Sequence, residues 1–244
     1  MSDRAASPAL DPARVRGPGF DPEQIPHDPA FADRALRGEP VHSDQLTAEA
    51  LRRRFAAPPA WEPEIRADGR LRAAELPLRP AAVLIPLVAR EGALRLLLTR
   101  RTSHLHDHAG QISFPGGRVD ASDRDPVHTA LREAQEETGL PAAAVEVLGH
   151  LPRYVTATSY EVTPVVGLIE QPFALQLDSF EVEEAFEVPL AFLMDPANHE
   201  RRRVEFDGAP RTFYAIPWIA QARRYFIWGA TAAMLRNLYQ LLRA

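Results

Sequence analysis

The chain has 244 residues, with 33 acidic side chains against 28 basic ones and a formal net charge of −5, which argues against generic nucleic-acid binding. Hydrophobic residues make up 45% and charged residues 25%, the balance of a globular chain that can bury a core. There is no cysteine, and all 28 basic residues are arginine, so thiolate metal sites, a thiol nucleophile, a Schiff-base lysine and a lysine-bearing phosphate loop are excluded.

Residues 1 to about 42 mix Pro, Asp, Ala and Arg without an apolar period and predict an irregular extension over the surface. A short helix is expected after Thr47, ended by Pro58 and Pro59. We set the boundary at residue 76, with an extension over 1–76 and the main domain over 77–244. The apolar runs 81–89 and 94–100 flank Arg90, Glu91 and Gly92 and predict two strands joined by a turn. Pro86 inside the first run predicts an edge or a bulge. Further strands are expected at 111–114, 145–151, 162–169, 180–188, 203–206, 212–216 and 225–228, and helices at about 126–138 and 230–242. Many strands with two or three helices give a mixed α/β (α+β) domain. Trp218, Trp228 and Tyr225 read as core or interface, Arg201 to Arg203 as a solvated turn, and the apolar helix 230–242 as a candidate homodimer face. The longest apolar stretches, 81–89 and 225–235, are too short to span a bilayer, and the N-terminus has no signal-peptide stretch. A soluble cytoplasmic protein with no membrane or nucleic-acid partner is the expectation.

The helix at 126–138 carries the chemistry. Asp125 can cap it, Pro126 suits its first position, Gly139 can take the left-handed stop, and Pro141 prevents continuation. At 100° per residue, Val127, Leu131, Ala134 and Thr138 form a narrow stripe, with Glu133, Glu136 and Glu137 on roughly the opposite side. Converging carboxylates repel, and a hard divalent cation with oxygen ligands turns that repulsion into binding. Arg132 can reach Glu136 at i+4 and hold it; the alternative is a solvated acidic face. Just upstream, Phe114, Pro115, Gly116 and Gly117 follow a strand, and paired glycines let backbone approach another group closely. A glycine turn, an acidic loop (Asp120, Asp123, Asp125) and a glutamate-faced helix form an arrangement for metal and phosphate.

Residues 117–140 resemble the Nudix box, G-x5-E-x7-R-E-U-x-E-E-x-G-U with U apolar. Arg132 through Leu140 fits its second half position by position. The first half is one residue longer and lacks the loop glutamate, with Asp123 the nearest acidic substitute. Residues 97–117 are similar to the pattern that precedes the box in the coenzyme A pyrophosphatase subfamily, with Thr102 in place of Ser or Ala and His106 in place of Arg. The resemblance implies an αβα sandwich with a mixed central sheet. It also implies Mg²⁺- or Mn²⁺-dependent hydrolysis of coenzyme A or its acyl derivatives to 3′-phosphoadenosine 5′-phosphate and (acyl-)phosphopantetheine. A Nudix enzyme for ADP-ribose or another nucleoside diphosphate derivative, or a nucleotide-sensing Nudix domain without catalysis, are the alternatives. Under this reading Glu133, Glu136 and Glu137, with the carbonyl of Gly116, hold the metal. Glu136, or Glu181 outside the box, takes the proton of the attacking water, and Arg132 orients the carboxylates. Arg100, Arg101, His108 and Gly117 are the expected substrate contacts. His104, His106 and His108 alternate, but no further ligand cluster supports zinc.

Overall fold

A computed structural model describes residues 9–10, 21–31, 38–68, 77–103, 110–206 and 209–244. The elements run β1 (Ala9–Leu10), α1 (Ala48–Ala56), β2 (Arg79–Arg90), β3 (Ala93–Arg101), β4 (Ile112–Ser113), β5 (Gly116–Arg118), α2 (Pro126–Thr138), β6 (Glu146–His150), β7 (Tyr154–Val155), β8 (Tyr160–Ile169), β9 (Val182–Pro189), α3 (Leu190–Leu193), β10 (Glu200–Phe206), β11 (Ala209–Ala220), β12 (Arg223–Trp228) and α4 (Gly229–Arg243).

The two expected strands form the hairpin β2–β3, turned at Glu91 and Gly92, both with positive φ. β2 is central to an eight-stranded sheet, parallel to β8 and antiparallel to β3 and β5; β9 and β4 also pair with β3, and β6 and β7 with β8. Both strands of the parallel pair are covered on both faces, which is why they read as nearly continuous apolar runs. Pro86 is therefore not on an edge strand. It lies opposite Gly167 of β8, and along the other side of β2 it falls between the stretch paired with β5 (81–83) and the stretch paired with β3 (87–90). Leu84 N–H points to that side, to Pro115 O at 2.9 Å, so the donor missing at Pro86 faces the gap where the partner changes.

One face of this sheet is covered by α2. Ala82, Leu84, Val88, Leu97, Val165 and Ile169 meet Ala130, Ala134 and Leu140 there. On the other face Ile85, Leu87, Leu96 and Leu98 pack with Leu235, Leu238 and Leu242 of α4. The result is the expected helix–sheet–helix sandwich. Most of α4 is buried inside its own chain, so its apolar residues do not form the free dimer face that the sequence suggested. A second sheet, β1-β10-β11-β12, joins this side. Trp218 stacks on Phe186 of β9 (ring centres 6.0 Å apart, 11° between planes) beside Tyr225, linking the two sheets.

Residues upstream of 76 share this core: Phe31, Val41, Leu46 and Leu51 are buried in the same cluster as α4. Thr47 caps α1 through the N–H of Ala50. Glu64 accepts from the buried Arg236 of α4 (Nε to Oε2, 2.7 Å) and from the Tyr214 hydroxyl, and Asn237 bonds both ways with the Ile65 backbone. His199 completes this network, with Nε2 against Leu193 O at 2.8 Å and Nδ1 facing Arg236 Nη1 at 3.3 Å. Burial holds its pKa down at about 4, so it is a neutral ring that donates from Nε2 and accepts at Nδ1. No helix among the described residues is long and apolar enough to cross a membrane.

Candidate active site

The ends of α2 form as the sequence indicates. Asp125 accepts the His128 N–H at 2.8 Å, and Gly139 (φ 71°) donates to Gln135 O at 2.9 Å. Two carbonyls of the last turn, Glu137 O and Thr138 O, accept the N–H groups of Asp178 and Gln176. Those bonds bring the loop after β8 to the helix. Thr102 holds the other side of that loop, donating from Oγ1 to Phe180 O at 2.8 Å and from N to Glu181 O at 3.0 Å. An alanine at position 102 could not make the first bond.

The three box glutamates do not share one solvent-facing side. Their side chains are 18% (Glu133), 60% (Glu136) and 6% (Glu137) exposed. On the helical wheel Glu137 falls next to Ala130 and Ala134, the centre of the buried face, which corrects the expectation that all three lie opposite it. Glu137 accepts the Gly116 N–H at 3.3 Å, and Arg101 Nη1 stands 3.9 Å from its other oxygen. Burial pushes its pKa up to about 8 despite that arginine. Glu133 is also raised, mainly by burial, and the charge of Glu181 acts on both, so Glu181 lies within electrostatic reach of them. Gly117 leaves room for Glu133: a Cβ there would lie 2.5–2.6 Å from its carboxylate atoms and push that side chain aside. Gly116 is closed off as well, because a Cβ would meet Ala82 O and Val83 Cα of β2.

Arg132 holds the acidic group together. Its Nη1 reaches Glu133 (2.9 Å) and Glu136 (3.0 Å), while Nε and Nη2 make a two-pronged bond to Asp123 at 3.0 and 2.8 Å. The Asp123 side chain has no exposed surface and also accepts from Thr129 Oγ1, the Asp120 N–H and the facing His128 ring. The Arg132 guanidinium in particular holds its carboxyl far below the usual range. Its place in the extended box loop marked Asp123 in the sequence; its three helix-borne partners are evident only once the loop folds back.

Arg101 points at Glu137, whereas Arg100, its neighbour in β3, lies on the other face of the sheet. Its guanidinium sits over the Tyr225 ring and 3.7 Å from Glu184, away from the glutamates. Arg100 is thus not brought into the site. His104, His106 and His108 lie outside the described residues.

Among the described residues no three acidic or imidazole groups converge closely enough to cage an ion as they stand. The donor set nevertheless fits a hard divalent cation. It is made of carboxylate oxygens, with Glu133 and Glu137 pushed toward the neutral form by burial and neighbouring carboxylates, and with Arg132 at 2.9 Å from Glu133 and Arg101 at 3.9 Å from Glu137 as partial compensation. Glu136 is exposed, and Arg132 ties it to Glu133.

A family profile described as "NUDIX domain" matches residues 77–207. The chain is 45% identical over 160 residues to the uncharacterized Nudix hydrolase NudL of Escherichia coli (strain K12), covering 66% of this chain and 81% of that one. The same figures hold for NudL of Shigella boydii serotype 18. Among solved structures, it aligns with a Caenorhabditis elegans Ap4A hydrolase binary complex (TM-score 0.40, 21% identity, 46% of this chain and 81% of that one). It also aligns with the MutT protein of Methanosarcina mazei Go1 (0.40, 24%, 49% and 83%).

Proposed function

The chain belongs to the Nudix family and is a Nudix hydrolase acting on pyrophosphate-bearing substrates, and from that premise we propose that it splits the diphosphate of coenzyme A and acyl-coenzyme A. The observation that carries this reading is the segment 97–117. Its residues resemble the coenzyme A pyrophosphatase pattern, and its two ends, Arg101 and the Gly116–Gly117 pair, both abut the box glutamates.

Nudix hydrolases generally use divalent metal ions, and here Mg²⁺ or Mn²⁺ would be held by Glu133, Glu136, Glu137 and the carbonyl of Gly116. Such an ion, when bound, would supply positive charge against the diphosphate and make a nearby water more acidic. The rest falls to the chain. Asp123 fixes Arg132, and Arg132 fixes Glu133 and Glu136. Gly117 leaves space for both Glu133 and substrate oxygens, and Arg101 offers a guanidinium to the diphosphate. Glu181, or Glu136, accepts the proton of the attacking water. The water oxygen bonds to one phosphorus and the bridging P–O bond breaks, giving 3′-phosphoadenosine 5′-phosphate and (acyl-)phosphopantetheine.

Mass-spectrometric product analysis with coenzyme A, acetyl-coenzyme A, ADP-ribose and NADH, each with Mg²⁺, Mn²⁺ or chelator, tests the proposal. Metal-dependent release of 3′-phosphoadenosine 5′-phosphate from the first two is expected. Cleavage of ADP-ribose or NADH alone would sink the substrate assignment.

A further inference from the structure

Most of the described arginines have a carboxylate partner, among them Arg52 with Glu146, Arg90 with Glu187 and Arg223 with Glu184. Two at one end of the main sheet have none among the described residues. Arg79 opens β2 and lies opposite Tyr160 of β8; Arg118 closes β5 and lies opposite Ala81, two residues on from Arg79. The pairing register alone brings both arginines to one ring: the Arg79 guanidinium carbon is 4.0 Å from the Tyr160 ring centre and that of Arg118 is 5.5 Å from it. Both arginines are exposed. Arg79 is steadied by a bond from Nη2 to Thr158 O at 2.8 Å. Among the described residues no carboxylate forms an ion pair with either. Glu161 of β8 is engaged by Arg153 at 3.0 Å, and Asp68 accepts from the Tyr154 hydroxyl and the Ala157 N–H.

The pair begins where the acidic site ends. Gly116 donates to Glu137, Gly117 lies against Glu133, and the carbonyl of Arg118 itself accepts from Arg132 Nη2 at 3.2 Å. Arg118 shares the face of Ala81, opposite α2. Among the described residues β5 pairs only with β2, so a ligand with its diphosphate at the glutamates would pass to that face around the unpaired edge of β5. Two guanidiniums without a counter-charge suit a dianion, and a phosphomonoester carries nearly two charges at neutral pH with oxygens that accept the arginine fork.

We infer that Arg79 and Arg118, set around Tyr160, form a phosphomonoester subsite that binds a second phosphate of the substrate, separate from the diphosphate that is cleaved. This rests on the diphosphatase reading and sharpens it. Coenzyme A carries such a group on its ribose, whereas ADP-ribose and NADH do not.

The test compares kcat/KM for coenzyme A and 3′-dephospho-coenzyme A in the wild type, Arg118→Gln, the double variant Arg79→Gln/Arg118→Gln, and Arg153→Gln as a neighbouring control, with melting temperatures to confirm folding. The wild type should prefer coenzyme A at least tenfold; the preference should shrink in Arg118→Gln, vanish in the double variant, and persist in the control. An unchanged ratio in the double variant overturns the subsite while leaving the diphosphatase reading intact. If neither compound is cleaved, the substrate assignment falls, and calorimetry with 3′-phosphoadenosine 5′-phosphate and adenosine 5′-phosphate in chelator still decides. Tighter binding of the former that is lost in the double variant supports the subsite; equal binding refutes it.

Discussion

Replacing Glu137 by Gln removes a charge that the metal-free protein holds at a cost. The side chain is 6% exposed, with one backbone N–H and a distant arginine to stabilise its anion, and its pKa is raised from 4.5 to about 8. A raised carboxyl favours folding fully below the unfolded value of about 4.5, and this stability is lost as pH rises through the folded value. The difference amounts to about 5 kcal/mol between pH 4 and pH 9, at 1.36 kcal/mol per pH unit of displacement. Urea unfolding in chelator should therefore show wild-type stability falling by that order as pH rises from 5 to 9, and Glu137→Gln should lack most of this fall. Mg²⁺ added at pH 8.5 should stabilise the wild type and release protons at pH 7, and the variant should show neither effect. Turnover of the variant at saturating Mg²⁺ should drop by about 10²-fold or more, a few kcal/mol of lost charge stabilisation. Parallel pH–stability curves for the two proteins in chelator, or normal turnover of Glu137→Gln, would refute the reasoning.

Other substitutions probe the supports. Asp123→Asn should cost about 3 kcal/mol of stability in urea, since it leaves Arg132 without its buried partner, and should lower kcat by freeing Glu133 and Glu136; unchanged stability would mean the pair is dispensable. Gly117→Ala meets only the flexible end of Glu133, so stability should change by less than about 1 kcal/mol while kcat falls about tenfold or more; a misfolded protein would contradict this. His199 is held neutral, with its pKa lowered from 6.5 to about 4, so the unfolded chain takes up a proton first as pH falls. Stability should drop by about 3 kcal/mol from pH 7 to 4 through this residue, and His199→Gln should show a shallower acid limb.

The caps of α2, the β2–β3 hairpin and seven further strands were legible because each depends on local chemistry or a short apolar run: Asp125, Pro126 and Gly139 act within one turn of the residues they cap. The site was legible as a set of residues and only partly as a geometry. Residue type places Glu137 on a polar face; the packing of Ala130 and Ala134 turns it inward. Arg100 and Arg101 are chemically alike, and the alternation of β3 sends them to opposite faces, the register shift there being taken up by an extra residue on β9. The short strand β5 has only glycines and one arginine, so no pattern marks it; its pairing with β2 creates it. Residues 1 to about 42 show no apolar period, yet single residues such as Phe31 and Val41 enter the core, because turns and irregular backbone bury side chains one at a time.

The bond between Glu64 and Arg236 spans 172 residues of chain. At a synthesis rate of about 5–20 residues per second, Arg236 follows Glu64 off the ribosome after an interval on the order of ten seconds or more. Once Ile85, Leu87, Leu96 and Leu98 have been made, the face of the main sheet that α4 later covers has no lid for the rest of that interval and stays open to water or to other nascent chains. The fifteen residues of α4 therefore govern the hazard of synthesis: a stop codon placed before α4 releases a chain whose strands can pair but whose apolar face cannot be closed, a substrate for chaperones and proteases rather than a shortened enzyme.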